Sequence, residues 1–125
     1  MALIHNLSCY HCTMRKITLR FRAGDKTFEE IRRGLKTIET RAATARYLEI
    51  KKGDVLVMAC GARRMAKTVK RARLFKTIGG LLKAIPVEKI MPSAHSAAEA
   101  RVVYYRYPGY KEKIKKCGLV AFDLL

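Results

Sequence analysis

The sequence predicts a small α+β domain built on a curved sheet or barrel of about five to six strands, with short helices beside it. Segments that alternate apolar and polar residues, or that form short apolar runs, predict the strands. Stretches with helical spacing of apolar residues lie between them and predict the helices. The chain has 125 residues, 50% of them hydrophobic, so it can bury one core without disulfides or a metal.

The first half of the chain switches between strand and helix patterns. Residues 17–21 alternate apolar and polar side chains, as a half-buried strand does. Thr27 and Glu30 have the spacing of a capping box, which predicts a helix over residues 28–33. Alternation over residues 36–41 then predicts a strand that follows the helix directly.

The second half adds three strands and two helices. Thr77 is the predicted N-cap of a short helix that ends at Pro86. Ser96 and Glu99 form a second capping-box pattern, which opens a helix that ends at Pro108. The three strands are predicted over residues 55–60, 65–73 and 118–124.

The charge of the chain is strongly unbalanced. Twenty-seven Lys and Arg residues oppose ten Asp and Glu residues, which gives a formal net charge of +17. Such an excess attracts polyanions, and RNA is the predicted partner. An anionic membrane surface is the competing partner, and the absence of a long amphipathic basic helix disfavours it.

Residues 1–14 show no clear periodicity and are predicted to be a loosely ordered leader, with one domain over residues 15–125. The leader has no basic segment and no convincing cleavage site, so secretion is not expected. No apolar run approaches the roughly 20 residues of a membrane-spanning helix. The four cysteines are expected to be free thiols, as is typical of a cytoplasmic protein.

One cysteine pair in the leader has the spacing of metal ligands. Cys9 and Cys12 form a CxxC pattern, and His5 lies close to them in the sequence. A closed zinc site needs four ligands, and the chain offers no second CxxC and no matching histidine pair. We therefore expect neither a metal site nor a cofactor.

A band of basic residues overlaps the strand predicted over residues 65–73. It holds seven cations in fourteen residues, and no acidic residue occurs between Asp54 and Glu88. A solvated face normally carries both signs of charge, so the band predicts a surface that contacts phosphates. The band consists of Arg63, Arg64, Lys67, Lys70, Arg71, Arg73 and Lys76. Two further basic clusters consist of Arg15, Lys16, Arg20 and Arg22, and of Lys111, Lys113, Lys115 and Lys116.

Tyrosines cluster towards the end of the chain, beside two arginines. Aromatic rings next to guanidinium groups suit the stacking of unpaired bases. Some of these rings must instead pack the predicted helix onto the core, because one helix presents side chains in all directions. The candidates for base contacts are Tyr104, Tyr107 and Tyr110, near Arg101 and Arg106.

Lys36, Glu39 and Arg41 place three charges on or beside one short predicted strand. A period of two puts Glu39 and Arg41 on one face and Lys36 on the other, unless the strand start or a bulge turns Lys36 inward. A surface salt bridge of small value would also explain these residues.

This segment also carries a resemblance to a known family. It reads Phe-Glu-Glu-Ile-x-x-Gly-x-Lys-Thr-Ile-Glu-x-Arg and resembles the signature of the ASCH domain (activating signal cointegrator homology). The resemblance covers about residues 16–125, with its parts in the expected order and spacing. Those parts are residues 28–41, 50–55 and 69–75, the pair Tyr107-Pro108, and residues 118–124.

The resemblance implies a PUA-like β-barrel with flanking helices and a function in RNA binding. The lysine of the family's G-x-K motif falls on Lys36, and its strand arginine falls on Arg41. In that architecture a cleft between the barrel and the helices would be lined by these two residues and by the segment from Tyr104 to Tyr110. We expect the cleft to recognise a nucleotide or an unpaired base, at a single-stranded or structured end.

The family also suggests two enzymatic alternatives. Some small bacterial members hydrolyse an amide on N4-acetylcytidine, and others have been proposed to cut RNA. The amidohydrolase members carry a threonine at the position of Glu39. In an enzyme, Lys36 and Glu39 would form a nucleophile or base pair, with Lys36 as either the nucleophile or the base. A tight ion pair between them would oppose catalysis and favour recognition, so binding is the leading prediction.

Overall fold

A curled five-stranded sheet forms the centre of the protein in the computed structural model, which describes residues 14–125. Its strands are β1 (Lys16–Phe21), β2 (Ile38–Ala42), β3 (Val55–Cys60), β4 (Arg63–Phe75) and β5 (Leu119–Leu124). They lie in the order β1-β3-β4-β5-β2, with β1 and β3 parallel and all other neighbours antiparallel. The sheet is a half-barrel with β1 and β2 as its edges, which confirms the predicted α+β class.

Six short helices accompany the sheet within residues 14–125. They are α1 (Thr27–Arg32), α2 (Ala45–Leu48), α3 (Ile78–Ala84), α4 (Val87–Ile90), α5 (Ala97–Arg106) and α6 (Tyr110–Cys117). Helices α3 to α6 all precede β5, so the second half of the chain supplies most of the helical layer. Among the described residues, no helix is long and apolar enough to cross a membrane.

Two apolar cores lie on opposite faces of the sheet. The first contains Leu56 and Phe122, together with the buried face of α1. The second packs α3 to α6 against β2 and β5, with Leu81 and Ala121 fully buried. Because Ala121 and Phe122 are neighbours on β5, their side chains point to opposite faces. Strand β5 is therefore covered on both sides, which explains its continuous apolar run.

Strand β4 is the longest element and links the two halves of the sheet. Its first part pairs with β3 and its second part with β5. The register shifts between Val69 and Arg71, as at a β-bulge, and such a shift bends the strand. The predicted basic strand over residues 65–73 is confirmed but longer than expected, and the bulge reverses which face its alternate side chains occupy.

Two of the three predicted N-caps are confirmed, and the third is wrong. Thr77 and Ser96 are confirmed as N-caps, since each hydroxyl oxygen accepts a hydrogen bond from the backbone N–H three residues later. The second bond of the Ser96 capping box is displaced by one residue, because Glu99 accepts from the N–H of His95 at 3.2 Å. The capping box at Thr27 is wrong, because Thr27 is already helical and donates to Asp25 Oδ1.

Three helices were not predicted from the sequence, and strand β2 begins later than predicted. Helices α2 and α4 are single turns, too short to show a periodicity. Helix α6 has Ile114 as its one buried residue, so its composition resembles a solvated loop. Strand β2 starts at Ile38, which places Lys36 in the segment between α1 and β2.

Candidate functional site

A cleft of about 620 Å³ opens where the half-barrel is not closed. The edge strands β1 and β2 contribute Phe21 and Arg41 to its walls, and no other strand within residues 14–125 lines it. The guanidinium of Arg41 lies 5.4 Å from the centroid of the Phe21 ring, so the two edges approach each other here. The rest of the walls comes from the loop before α1, from α1 itself, from the segments before β2 and after α4, and from helices α4, α5 and α6.

Lys36, Glu39 and Arg41 form one ion-paired cluster at the base of this cleft. The Nζ atom of Lys36 lies 3.3 Å from Glu39 Oε1. Arg41 donates from Nε to Glu39 Oε2 at 3.0 Å, and its Nη2 atom lies 2.9 Å from the same oxygen. Each oxygen of the carboxylate therefore faces a different cation. The cluster carries a net charge of +1 and is largely withdrawn from solvent.

Burial distinguishes this cluster from an ordinary surface salt bridge. The side chains of Lys36 and Glu39 are each 6% exposed, and that of Arg41 is 19% exposed. Lys36 Nζ also donates to the carbonyl of Ile90 at the end of α4. Buried charges require such compensation by ion pairs and hydrogen bonds, so the three groups are held in fixed positions.

The local backbone explains how all three side chains reach the same place. Glu39 and Arg41 share one face of β2, as the period of two predicts. Lys36 precedes the strand, and its backbone N–H donates to the carbonyl of Glu30. The alternation of the strand therefore does not constrain Lys36, and of the two alternatives that the sequence left open the structure has the one in which Lys36 is turned inward.

Tyrosines from the helical layer form a second wall of the cleft. The hydroxyls of Tyr104 and Thr40 are hydrogen-bonded to each other. The hydroxyl of Tyr110 accepts from the backbone N–H of Ala42 at 2.9 Å, on the free edge of β2. The Tyr107 and Tyr110 rings meet edge to face at 5.6 Å between centroids. Tyr107 is 48% exposed, so its ring is accessible from solvent.

Burial sets the ionisation of several cleft residues. It raises the pKa of Tyr104, Tyr107 and Tyr110 above the ordinary tyrosine value, so all three hydroxyls stay neutral at physiological pH. Burial also raises the pKa of the Glu30 carboxyl, and the nearby charge of Lys36 acts in the opposite direction. The tyrosine wall is therefore an uncharged aromatic surface beside a charged cluster.

Basic residues outnumber acidic residues around the cleft by six to three. The acids are Asp25, Glu30 and Glu39. The cations come from both edge strands, the loop before α1, the segment before β2, and α6, and they are Arg20, Arg22, Lys26, Lys36, Arg41 and Lys113. This surplus makes the cleft attractive to an anion.

The basic band on β4 lies apart from the cleft, and none of its residues lines the cleft walls. Arg71 and Arg73 both donate to the carboxylate of Asp123, at 3.0 Å each. Arg63 pairs with Glu29 and lies over the Phe28 ring. The remaining band residues are Arg64, whose guanidinium contacts the carbonyls of its own turn, half-buried Lys67, and exposed Lys70 and Lys76.

Of the predicted site residues, the structure brings together Lys36, Glu39, Arg41 and the three tyrosines. It adds cleft residues to which the sequence analysis gave no role there. Arg20, Arg22 and Lys113 belong to the secondary basic clusters, which were the available signal. The carbonyl of Ile90 gave no signal, and Glu30 was interpreted only as part of a capping box, because the fold alone brings both groups to Lys36.

Metal ligands are not grouped in the part of the chain that the structure describes. There, no three His, Cys, Asp or Glu side chains are placed to hold a metal ion. Cys9 and Cys12 lie outside the described residues, as does most of the predicted leader. Cys60 and Cys117 are half-buried free thiols.

No protein-family model and no curated protein matches this chain. The crystal structure of hypothetical protein PH0355 is similar to it, with 26% identity and a TM-score of 0.72 over 90% of this chain and 97% of that one. The solution NMR structure of protein PF0455 from Pyrococcus furiosus has 28% identity and a TM-score of 0.68, over 86% and 96% of the two chains. The chain therefore shares an α+β fold with small proteins of nearly the same extent.

Proposed function

We propose that this protein is an RNA-binding member of the ASCH family, with a PUA-like fold, and that its cleft recognises a nucleotide or an unpaired base. The observation that carries the proposal is the cleft itself, which combines a buried Lys36–Glu39–Arg41 cluster with an uncharged tyrosine wall. Its volume of about 620 Å³ suits a ligand of nucleotide size, because small-molecule sites measure roughly 300–1,000 Å³.

The two walls offer complementary chemistry to a nucleotide. The cluster around Glu39 keeps a net positive charge that attracts a phosphate group, and the fork of Arg41 is held in place by Glu39 and by the Phe21 ring. The exposed ring of Tyr107 provides a face on which a base can stack. The hydroxyls of Tyr104 and Tyr110 are already bonded to β2, so these two residues serve mainly to position the wall.

Backbone contacts outside the cleft would come from the basic band on β4. Four members have no carboxylate partner among the described residues and are the strongest candidates: Arg64, Lys67, Lys70 and Lys76. Arg71 and Arg73 share the carboxylate of Asp123, so these three side chains together carry a single net positive charge. Contacts of this kind supply affinity without sequence preference.

The enzymatic alternatives place Lys36 and Glu39 at the centre of catalysis. In this geometry the Lys36 ammonium donates to the Ile90 carbonyl and faces the Glu39 carboxylate. A nucleophilic amine needs a free lone pair, and an ammonium held by two acceptors does not offer one. This arrangement favours binding over hydrolysis of N4-acetylcytidine or cleavage of RNA.

The proposal is tested by fluorescence anisotropy with a labelled single-stranded RNA. We expect Arg22→Gln combined with Lys113→Gln to weaken binding about thirtyfold, since each charged contact is worth about 1 kcal/mol and about 1.4 kcal/mol corresponds to a factor of ten. The matched control, Arg33→Gln combined with Lys116→Gln, removes the same charge outside the cleft and should change affinity less than threefold. Equal losses in the two variants would contradict recognition in the cleft.

A second measurement separates binding from catalysis. The purified protein is incubated with N4-acetylcytidine, and cytidine formation is followed by chromatography. We expect no more cytidine than in a sample without protein. If the unaltered protein hydrolyses N4-acetylcytidine and the Lys36→Ala variant does not, hydrolysis is the function and RNA binding is secondary.

A further inference from the structure

A second pocket, of about 400 Å³, lies between the end of β4 and helices α3, α5 and α6. We call it the α5–α6 pocket. It shares no lining residue with the cleft. The buried side chains of Ile78 and Ile114 form part of its wall, and charged residues surround them.

The charge of the α5–α6 pocket is entirely of one sign. Among the residues that the structure describes, four cations line it, and no Asp or Glu does. Lys76 follows β4, Arg101 lies on α5, and Lys111 and Lys115 lie on α6. None of the four forms an ion pair within residues 14–125. The cleft differs in this respect, because Glu39 compensates its two central cations.

Contacts other than ion pairs hold these cations near the pocket. Lys111 Nζ lies 5.5 Å from the centroid of the Tyr105 ring. The guanidinium of Arg101 lies against Gly79, where an added Cβ would be 3.5 Å from Nη2. Lys111 and Lys115 are four residues apart on one helix, a spacing at which like charges repel each other. An anion in the pocket would relieve this repulsion.

We propose that the α5–α6 pocket is a second anion-binding site, which takes a phosphate group. A phosphate offers several acceptor oxygens, and Arg101 and the lysines offer donors from three sides. The phosphate belongs either to a nucleic-acid backbone or to a small free phosphate compound. Only the first source rests on the proposed RNA function, whereas the phosphate chemistry stands independently of it.

Inorganic pyrophosphate tests the site in the unaltered protein. We expect saturable shifts of the backbone amide resonances of Thr77 and Gly79 in NMR spectra, at pyrophosphate concentrations up to about 10 mM. Amide resonances of α1, far from the pocket in sequence and outside its lining, provide the internal reference. Shifts that grow without saturation, or that appear equally in α1, would overturn the proposal.

A matched pair of variants tests which cations hold the phosphate. Arg101→Gln with Lys115→Gln removes two pocket charges, and Arg106→Gln with Lys116→Gln removes two exposed charges from the same helices outside the pocket. We expect the pocket variant to weaken pyrophosphate binding at least fivefold and the control less than twofold. Equal weakening would show attraction by net charge alone and would overturn the site.

The source of the phosphate is assigned by competition. A single-stranded RNA that displaces pyrophosphate from Thr77 and Gly79 identifies a backbone phosphate as the ligand. Saturable pyrophosphate binding that RNA does not displace identifies a free phosphate compound. The RNA proposal then fails only if anisotropy also shows no RNA binding, so the two failures are distinguishable.

Discussion

At the scale of single residues, the Glu39 carboxylate is the group on which the cleft depends. Each of its oxygens contacts a different cation, and its side chain is 6% exposed. Removing a buried charge that has two partners leaves both partners without compensation. Glu39 therefore has a structural role in keeping Lys36 and Arg41 together, whatever ligand the cleft binds.

Glu39→Gln tests this role. We expect it to lower the free energy of unfolding by about 3 kcal/mol, because two buried cations lose their shared counter-charge. Urea unfolding followed by circular dichroism measures the change. Glu29→Gln is the control, since Glu29 pairs with Arg32 and Arg63 on the exposed side of α1 and its loss should matter far less. Similar losses for the two variants would contradict the structural role.

The three cleft tyrosines predict an alkaline loss of stability. Burial raises the pKa of Tyr104, Tyr107 and Tyr110 in the folded protein, whereas an unfolded chain ionises near pH 10. The stabilisation from the neutral hydroxyls is therefore complete below about pH 10 and is lost as the pH rises through the folded-state pKa values. The more buried Tyr104 and Tyr110 each add up to about 1.4 kcal/mol per pH unit to this fall, and the half-exposed Tyr107 adds less because solvent screens it.

Urea unfolding between pH 9 and pH 11 measures this dependence. Tyr104→Phe removes one buried hydroxyl and should flatten the fall in the free energy of unfolding. Tyr105→Phe, which alters a neighbouring ring outside the cleft, is the control. An unchanged slope in Tyr104→Phe would show that other groups control the alkaline transition.

At the scale of elements, the sequence predicted best those features whose signal lies in a few consecutive residues. The apolar runs of β3 and β5 and the caps at Thr77 and Ser96 are local features, and the structure confirms them. Helix α6 was not predicted, because tertiary contacts through Ile114 and Tyr110 stabilise it rather than a periodic apolar face. Short-range patterns cannot reveal such an element.

The candidate site shows the same division between local and tertiary information. Lys36, Glu39 and Arg41 are near each other in the sequence, so their association could be predicted. The carbonyl of Ile90 and the residues Arg22 and Lys113 reach the cleft only because the edge strands and α6 meet there. Which face of the sheet each β4 cation occupies depends on the bulge after Val69, and no local sequence pattern predicted that bulge.

Gly118 gives a prediction that belongs to the junction between α6 and β5. It has φ of 80°, and an added Cβ would lie 2.4 Å from the Phe75 carbonyl oxygen. Gly118→Ala therefore combines backbone strain with a clash against β4, and we expect a loss of about 3 kcal/mol or more in stability. Gly109→Ala adds a side chain in open space and in the less strained left-handed helical region, with φ of 72° and ψ of 0°, so it should cost about 1 kcal/mol. Thermal unfolding compares the two, and equal losses would contradict the clash.

At the scale of the whole molecule, positive charge is distributed over at least three separate places. The cleft has compensated central cations, the α5–α6 pocket has uncompensated ones, and the β4 band shares its charge with Asp123. A net charge of +17 therefore does not act through one uniform face. If RNA binds, its affinity should fall steeply with salt, because each phosphate contact to a single strand contributes about 0.7 to the log–log slope.

The β4 band allows this salt dependence to be changed in both directions. Lys67→Gln with Lys70→Gln removes two cations and should flatten the slope by about 1.4. Asp123→Asn releases Arg71 and Arg73 from their carboxylate, so it should strengthen RNA binding and steepen the slope. Glu88→Gln removes the same charge from α4, and it should leave the slope nearly unchanged. Anisotropy titrations at 50–300 mM salt, on variants with native circular dichroism, measure these slopes. If Asp123→Asn and Glu88→Gln strengthen binding equally, net charge alone governs the affinity and the β4 band has no specific part in it.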